Sequence, residues 1–335
     1  MCRSFDPDAT RTDAPLSMTR RRFACLAVPA LLLPWMPDVV FADTAPDKAP
    51  VPLEMQEVDA GIFVHHGAID LMREGNEGAI ANIGFVIGEE AVAVIDSGGS
   101  VAEGRRLLAA VRRATDRPIR YVLNTHMHPD HVFGNAAFLG EGATFVGHHN
   151  LAAALAARRD SYLASNVELM GAVLMAEVAI VPPTLSVEGT TTLDLGNRRL
   201  QLTAWPTAHT DNDLTVLDEK SSTLFTGDLV FLEHCPTFDG SLLGWVDVLA
   251  QLKAVAARHA VPGHGPVATD WPAAAADTER YLGVLAADLR RSIAAGTSLA
   301  EAVETAAQSE ASRWQLFAGY NRRNATGAFA ELEWE

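Results

Sequence analysis

Three imidazoles and one carboxylate stand within six residues in the stretch Thr125-His126-Met127-His128-Pro129-Asp130-His131. Imidazole nitrogen and carboxylate oxygen are ligands that borderline divalent metals such as zinc accept, and four such groups crowded together without a cation would be hard to satisfy. The chemistry on offer is metal-assisted. Three more residues stand at expected strand ends among small neighbours that let backbone approach closely. These are His209 after Pro206-Thr207-Ala208, Asp228 in Thr226-Gly227-Asp228-Leu229, and His264 in Pro262-Gly263-His264-Gly265. Five histidines and two aspartates match two zinc ions sharing one carboxylate, each with a position open to water, which is a catalytic rather than a closed structural arrangement.

The elements that must position this set follow from hydrophobic periodicity. Ile119–Leu123 reads as a short buried strand and Gly134–Phe138 as the start of a helix, so the first cluster occupies a strand-to-helix turn. Loops at the carboxyl ends of strands can aim several side chains at one point. Upstream, strands are expected over 61–64, 82–87 and 91–95, the last ending in Asp96-Ser97-Gly98-Gly99, and a helix over 101–115 with an arginine-rich solvent face. Downstream come a strand at 144–147, one or two helices in the Ala-, Leu- and Met-rich stretch 149–178, and strands over 191–195, 199–205, 214–217 and 223–226. Helices are expected over 242–258, 271–295, 299–307 and 313–332, with a short strand end at 260–262. Two strand-rich halves, each followed by helices, predict an α/β (α+β) fold built as a four-layer αββα sandwich.

Residues 1–42 read as a separate segment. Thr19-Arg20-Arg21-Arg22-Phe23, the apolar run Ala24–Met36 and the small residues of Val40-Phe41-Ala42 have the form of a cleavable twin-arginine export signal, and the apolar run is too short and proline-broken to span a bilayer. The expected mature domain is 43–335, exported to the periplasm. The whole chain carries a formal net charge of −16, and residues 43–335 hold 21 basic against 38 acidic side chains. Such a surface repels phosphate backbones and argues against a nucleic-acid partner. With Cys2 and Cys25 in the signal, Cys235 is left as a single thiol, so stability must come from the core and not from a disulfide.

The ordered series His126, His128, Asp130, His131, His209, Asp228, His264 resembles the metallo-β-lactamase superfamily. The stretches Asp239-Gly240-Ser241, Gly244-Trp245, Val261–Pro266, Tyr320-Asn321-Arg322-Arg323-Asn324 and Ala330–Glu333 resemble, more narrowly, the exported quinoprotein relay system zinc metallohydrolases. The resemblance implies that His126, His128 and His209 hold one zinc, that Asp130, His131 and His264 hold the second, and that Asp228 bridges them. It further implies a hydroxide between the ions as nucleophile, oriented by Asp130, with Asp96, Thr125 and Thr226 supporting the ligands from behind. The expected activity is hydrolysis of an ester, thioester, lactone or similar carbonyl substrate, linked to a periplasmic quinoprotein dehydrogenase. Iron or manganese in place of zinc stays open. A β-lactamase reading is weakened by Asp228, and a glyoxalase II reading by a C-terminal region whose close basic pair is Arg322 and Arg323. A non-catalytic accessory protein that binds a quinone or quinoprotein is the alternative from another class. The other histidines, His65, His66, His148, His149, His234 and His259, lack the pattern, although His234 and Cys235 follow Asp228 closely enough to line its pocket.

Overall fold

Alternation of apolar side chains along adjacent strands gives a sheet two buried faces when layers cover both sides. The computed structural model describes residues 49–335, so the expected export signal lies outside the described residues. Strands β1 (Gln56–Asp59), β2 (Ile62–His65), β3 (Ile83–Ile87), β4 (Val92–Ile95), β5 (Ile119–Leu123), β6 (Thr144–His148) and β7 (Leu185–Val187) form a seven-stranded sheet in that order. Pairing is antiparallel up to β4 and parallel from β4 to β7. Strands β8 (Thr190–Asp194), β9 (Arg199–Ala204), β10 (Leu214–Asp218), β11 (Thr223–Phe231) and β12 (His259–His264) form the second sheet, ordered β12-β11-β10-β9-β8. Only β11 and β12 run parallel there.

The period-two pattern sorts side chains into layers. Val86, Ala93, Ile95 and Leu123 of the first sheet meet Leu200, Leu202, Val216 and Phe225 of the second, which makes the inter-sheet core. The opposite faces of β3 and β4, with Phe85, Val92 and Val94, pack on Leu107 and Val111 of helix α1 (Val101–Ala114). Beyond the second sheet, helices α4 (Leu242–Leu252), α5 (Ala276–Ala294), α6 (Leu299–Thr305) and α7 (Phe317–Leu332) bury Trp245, Tyr281, Leu285 and Phe329 against it. The αββα order is thus realised. Two helices remain, the short α2 (Pro129–Val132) inside the histidine cluster and, after β6, the long α3 (Leu151–Met175), which kinks at Gly171. Met170 and Met175 are buried there with Phe133 and Leu155, so the methionines of this stretch are packing residues.

A buried arginine helps to join the sheets. Arg198, at the β8–β9 turn, donates through Nε and Nη2 to Asp218 at 2.8 and 3.0 Å, and through Nη1 to the Ala60 and Ile87 carbonyls of the first sheet at 2.8 and 3.0 Å. A buried bidentate pair whose Nη1 donors reach the other sheet's carbonyls fixes the register of one sheet on the other.

Ser100 caps α1, accepting from Glu103 N at 3.1 Å, and Glu103 Oε2 accepts from Gly99 N at 2.7 Å. Burial pushes this carboxyl from its ordinary 4.5 up to about 8, against the pull of the Gly99 hydrogen bond. Between those values the folded chain binds more protons than the unfolded one, so this group makes stability fall as pH rises. Glu103→Gln is expected to flatten that decline, its stability relative to wild type growing from pH 5 to pH 8 by at most about 1.4 kcal/mol per unit. Urea unfolding at both pH values measures it; an equal difference at the two would refute the assignment.

Candidate metal centre

Both sheets deliver their carboxyl ends to one place. The turn after β5 carries His126, His128, Asp130 and His131, the β9–β10 loop carries His209, and β11 and β12 supply Asp228 and His264. Each of the five histidines has one ring nitrogen committed to an outer acceptor. His126 Nδ1–H donates to Thr125 Oγ1 at 3.0 Å, whose hydroxyl donates to Asp96 Oδ2 at 2.8 Å. His131 Nδ1–H donates to the same Asp96 oxygen at 2.8 Å, and His128 Nε2–H to Asp239 Oδ2 at 3.1 Å. The Thr237 and Ile80 carbonyls accept from Nδ1 of His209 and His264, both at 2.9 Å. Partners of this kind fix the tautomers and, in each neutral ring, leave the inner nitrogen as a bare lone pair.

Those inner nitrogens converge. His126 Nε2 and His209 Nε2 lie 3.0 and 3.1 Å from His128 Nδ1, where none of the three has a proton to give and a shared cation would relieve their repulsion. Asp228 reaches both halves of the cluster, with Oδ2 at 3.7, 3.4 and 3.5 Å from Nε2 of His126, His209 and His264, and Oδ1 at 3.2 Å from Nε2 of His131. Asp130 Oδ2 lies 3.3 and 3.6 Å from Nε2 of His264 and His131. Among the described residues, His131 Nε2 and Asp228 Oδ1 are buried and, although 3.2 Å apart, meet no partner in hydrogen-bond geometry. Orphaned buried atoms of this type demand a ligand. Two sets fit one divalent cation each: His126, His128, His209 and Asp228, and Asp130, His131 and His264.

Electrostatics divide the cluster in the same way. Burial drives His126 well down and His209 to about 3, so both stay neutral. Burial would also lower His131 and His264, yet Asp228 and Asp130 carry His131 well above its ordinary value and His264 to about 9, Asp96 adding to the pull on His131. Burial opposes ionisation of Asp130 and Asp228 as well, but the surrounding imidazoles hold both below the usual carboxylate range. The two carboxylates therefore draw positive charge into the second half, as protons or as a metal.

The local backbone explains the convergence. Gly227 sits at φ +51°, and a β-carbon there would come within 2.8 Å of Thr125 Cβ. Glycine lets β11 press against the first ligand turn. Asn82 holds the His264 loop, its Nδ2 donating to the Pro262 and Gly265 carbonyls at 2.8 and 2.7 Å. Thr210 and Asp213 close the loop after His209, while Leu214 N donates to Thr125 O at 2.8 Å and joins the two ligand turns.

A family profile described as the metallo-beta-lactamase superfamily matches residues 77–268, which contain all seven converging residues. The chain belongs to the metallo-β-lactamase superfamily. It shares the fold of a metallo-beta-lactamase from Pontibacter korlensis, at 19% identity and a TM-score of 0.56 over 69% of this chain and 99% of that one. The structure described as TMB-1 is similar at 20% identity and a TM-score of 0.54, over 69% of this chain and 97% of that one. In sequence, 52 residues are 42% identical to a linear primary-alkylsulfatase of Pseudomonas sp. (strain ATCC 19151), a match spanning 16% of this chain and 10% of that protein. The His/Asp cluster is suited to the metal ions on which the hydrolases of this superfamily depend.

The residues expected behind the ligands divide. Asp96 hydrogen-bonds to His131 and Thr125, and Thr125 to His126. Thr226 differs: its hydroxyl donates to the Gly227 and Val261 carbonyls at 3.0 and 3.3 Å and so braces β11 on β12 without touching a ligand. Asp239, Asn82 and the Ile80 and Thr237 carbonyls hold ligands or their loops and went unassigned in the sequence. His234 lines the cavity above the cluster, whereas Cys235 is buried away from it with its thiol pushed up to about 12. Asp96→Asn keeps shape and tolerates the φ of +55° but turns an amide N–H toward His131 Nδ1–H. Loss of metal affinity of about 10- to 100-fold is expected, read by competition with a chelating dye. Unchanged affinity would remove Asp96 from the centre's support.

Among the described residues, no helix is long and apolar enough to cross a membrane.

Proposed function

We propose that this chain is an exported dinuclear zinc hydrolase that cleaves an ester, thioester, lactone or related bond, in the service of a quinoprotein dehydrogenase system. One observation carries the hydrolase reading: five imidazoles with anchored outer nitrogens and two carboxylates face a shared volume that opens into a cavity of about 300 Å³. A closed structural site has no use for such an opening. Export rests on the twin-arginine pattern, and the quinoprotein link on the resemblance of the 239–245 and 320–333 stretches.

His126, His128 and His209 would hold one ion, Asp130, His131 and His264 the other, with Asp228 common to both. When bound, such a pair supplies Lewis acidity to the scissile group and lowers the pKa of water to about 7. The chain's own contribution is positional. Asp96 and Thr125 hold His126 and His131, Asp239 holds His128, and Asp130, at the cavity floor, accepts a hydrogen bond from the attacking water and orients it. The similarity to an alkylsulfatase adds the sulfate ester to the bonds worth testing.

The test is elemental analysis of protein purified from its own host, with turnover measured on a thioester, a lactone, an aryl ester, an alkyl sulfate and nitrocefin. About two zinc per chain with hydrolysis of one bond class is the expected result. Two zinc and no turnover would favour the quinoprotein accessory role; a single iron would redirect the reading to oxygen chemistry.

A further inference from the structure

The cavity over the metal centre has a charge that the hydrolytic reaction does not require. Arg158 of α3 and Arg323 of α7 both line it and turn to a single carboxylate, with Nη2 of each at 3.2 and 4.0 Å from Asp239 Oδ1. The other oxygen of Asp239 is already taken by His128. Two guanidiniums thus share half of one carboxylate, and Arg323 forms no hydrogen bond among the described residues. Its chain neighbour Arg322 is paired instead with Glu304, outside the cavity. The Tyr162 ring lies 6.0 Å from the Arg158 guanidinium carbon; Tyr162 lines the same cavity, and its buried hydroxyl has no hydrogen-bond partner among the described residues. Away from Asp130 and Asp228, which line the metal end of the same cavity, two guanidiniums beside one half-taken carboxylate, with a spare buried donor, define an oxyanion subsite.

Part of the remaining wall is apolar. Leu71, Met72, Leu169 and Phe238 line it, and Leu71 and Leu169 are 51% and 55% exposed. Large apolar side chains left open at a cavity mouth suit an apolar ligand body. The basic mouth also runs against the field of a chain with net charge −16, so a non-specific attraction does not explain it. Over the reach of screened charges, about 8–10 Å, the local pair decides.

We infer that the cavity takes an amphiphilic anion: a substrate with a carboxylate or sulfo group remote from the scissile bond, held by Arg158, Arg323 and Tyr162, and an apolar body against Leu71, Met72, Leu169 and Phe238. The inference rests on this cavity being the substrate cavity of the proposed hydrolase. No step of the reaction is assigned to these residues; they position the substrate.

Calorimetric titration of the protein as isolated with octanoate, octyl sulfonate and octanol tests it without turnover. Both anions are expected to bind and octanol to bind more weakly. Arg323→Ala is expected to weaken both anions about tenfold, the value of one charge-assisted contact, while Arg322→Ala leaves them unchanged. The sulfonate separates this subsite from the metal centre, for which it is a poor ligand. Tyr162→Phe, which keeps the ring, should weaken the anions and not octanol. Equal binding of octanol and the anions, no binding of either anion, or equal behaviour of the two arginine variants would overturn the inference. Arg323-dependent anion binding without cleavage of any bond in the panel would instead uphold the subsite and sink the hydrolase reading. Cleavage of neutral esters without anion binding would do the reverse.

Discussion

Asp228→Ala is expected to lower the metal content of the purified protein and to cut kcat/KM by roughly a thousandfold, equivalent to about 4 kcal/mol of transition-state stabilisation. Asp228 is the one side chain among the seven that approaches inner nitrogens of both sets, lying 3.2–3.7 Å from four histidines. Without it the halves lose their common anion, and the cluster keeps Asp130 as its single carboxylate. The substitution also opens space in a packed strand, so Asp228→Asn should be made beside it. Asparagine fills the volume but carries no charge. If the loss is electrostatic, both variants fall together in metal content and turnover, with circular dichroism unchanged. A full complement of metal in Asp228→Asn, with turnover intact, would refute the bridging role.

Much of this centre could be read in the sequence, because ligand turns are local. His126, His128, Asp130 and His131 lie in one turn, and strand patterns on either side placed that turn at a carboxyl end. Asp96 was legible as an acid at the end of a strand. What stayed hidden depends on tertiary approach. Asp239 meets His128 across 111 residues, and Asn82 meets Gly265 across 183. The Ile80 and Thr237 carbonyls have no side-chain signature. Strand β11 was expected to stop at Thr226, since Gly-Asp reads as a turn. It runs on to Phe231 with an irregular register around Gly227, which carries Asp228 inside the strand. Strands β1 and β7 escaped notice because they are short and largely exposed, with no clear alternation. The last helix begins at Phe317 rather than Arg313, after Leu316 turns the chain at φ +60°.

A single methyl group at Gly263 provides the sharpest test of how the centre is held, because it removes no ligand. A β-carbon on this residue would overlap Asp228 Oδ1, and it would also stand 3.0 Å from the Gly227 carbonyl carbon. Gly263 is not among the positive-φ glycines, so alanine suits its backbone and the cost falls on the neighbours. Overpacking of this kind costs about 1–3 kcal/mol in stability. Asp228 must swing away, and a shift of about 1 Å in a reacting group is worth roughly a hundredfold in rate. Gly263→Ala is therefore expected to lose about a hundredfold in kcat/KM together with metal affinity, while keeping all seven candidate ligands. The double variant with Asp228→Ala decides the cause. Removing the Asp228 side chain removes the overlap, so most of the stability cost of Gly263→Ala should vanish in that background, leaving only the tight contact with Gly227. Coupling in such a cycle reports direct interaction. Additive costs would mean that Gly263 serves the β11–β12 backbone rather than the carboxylate, and that Asp228 is positioned by its strand alone.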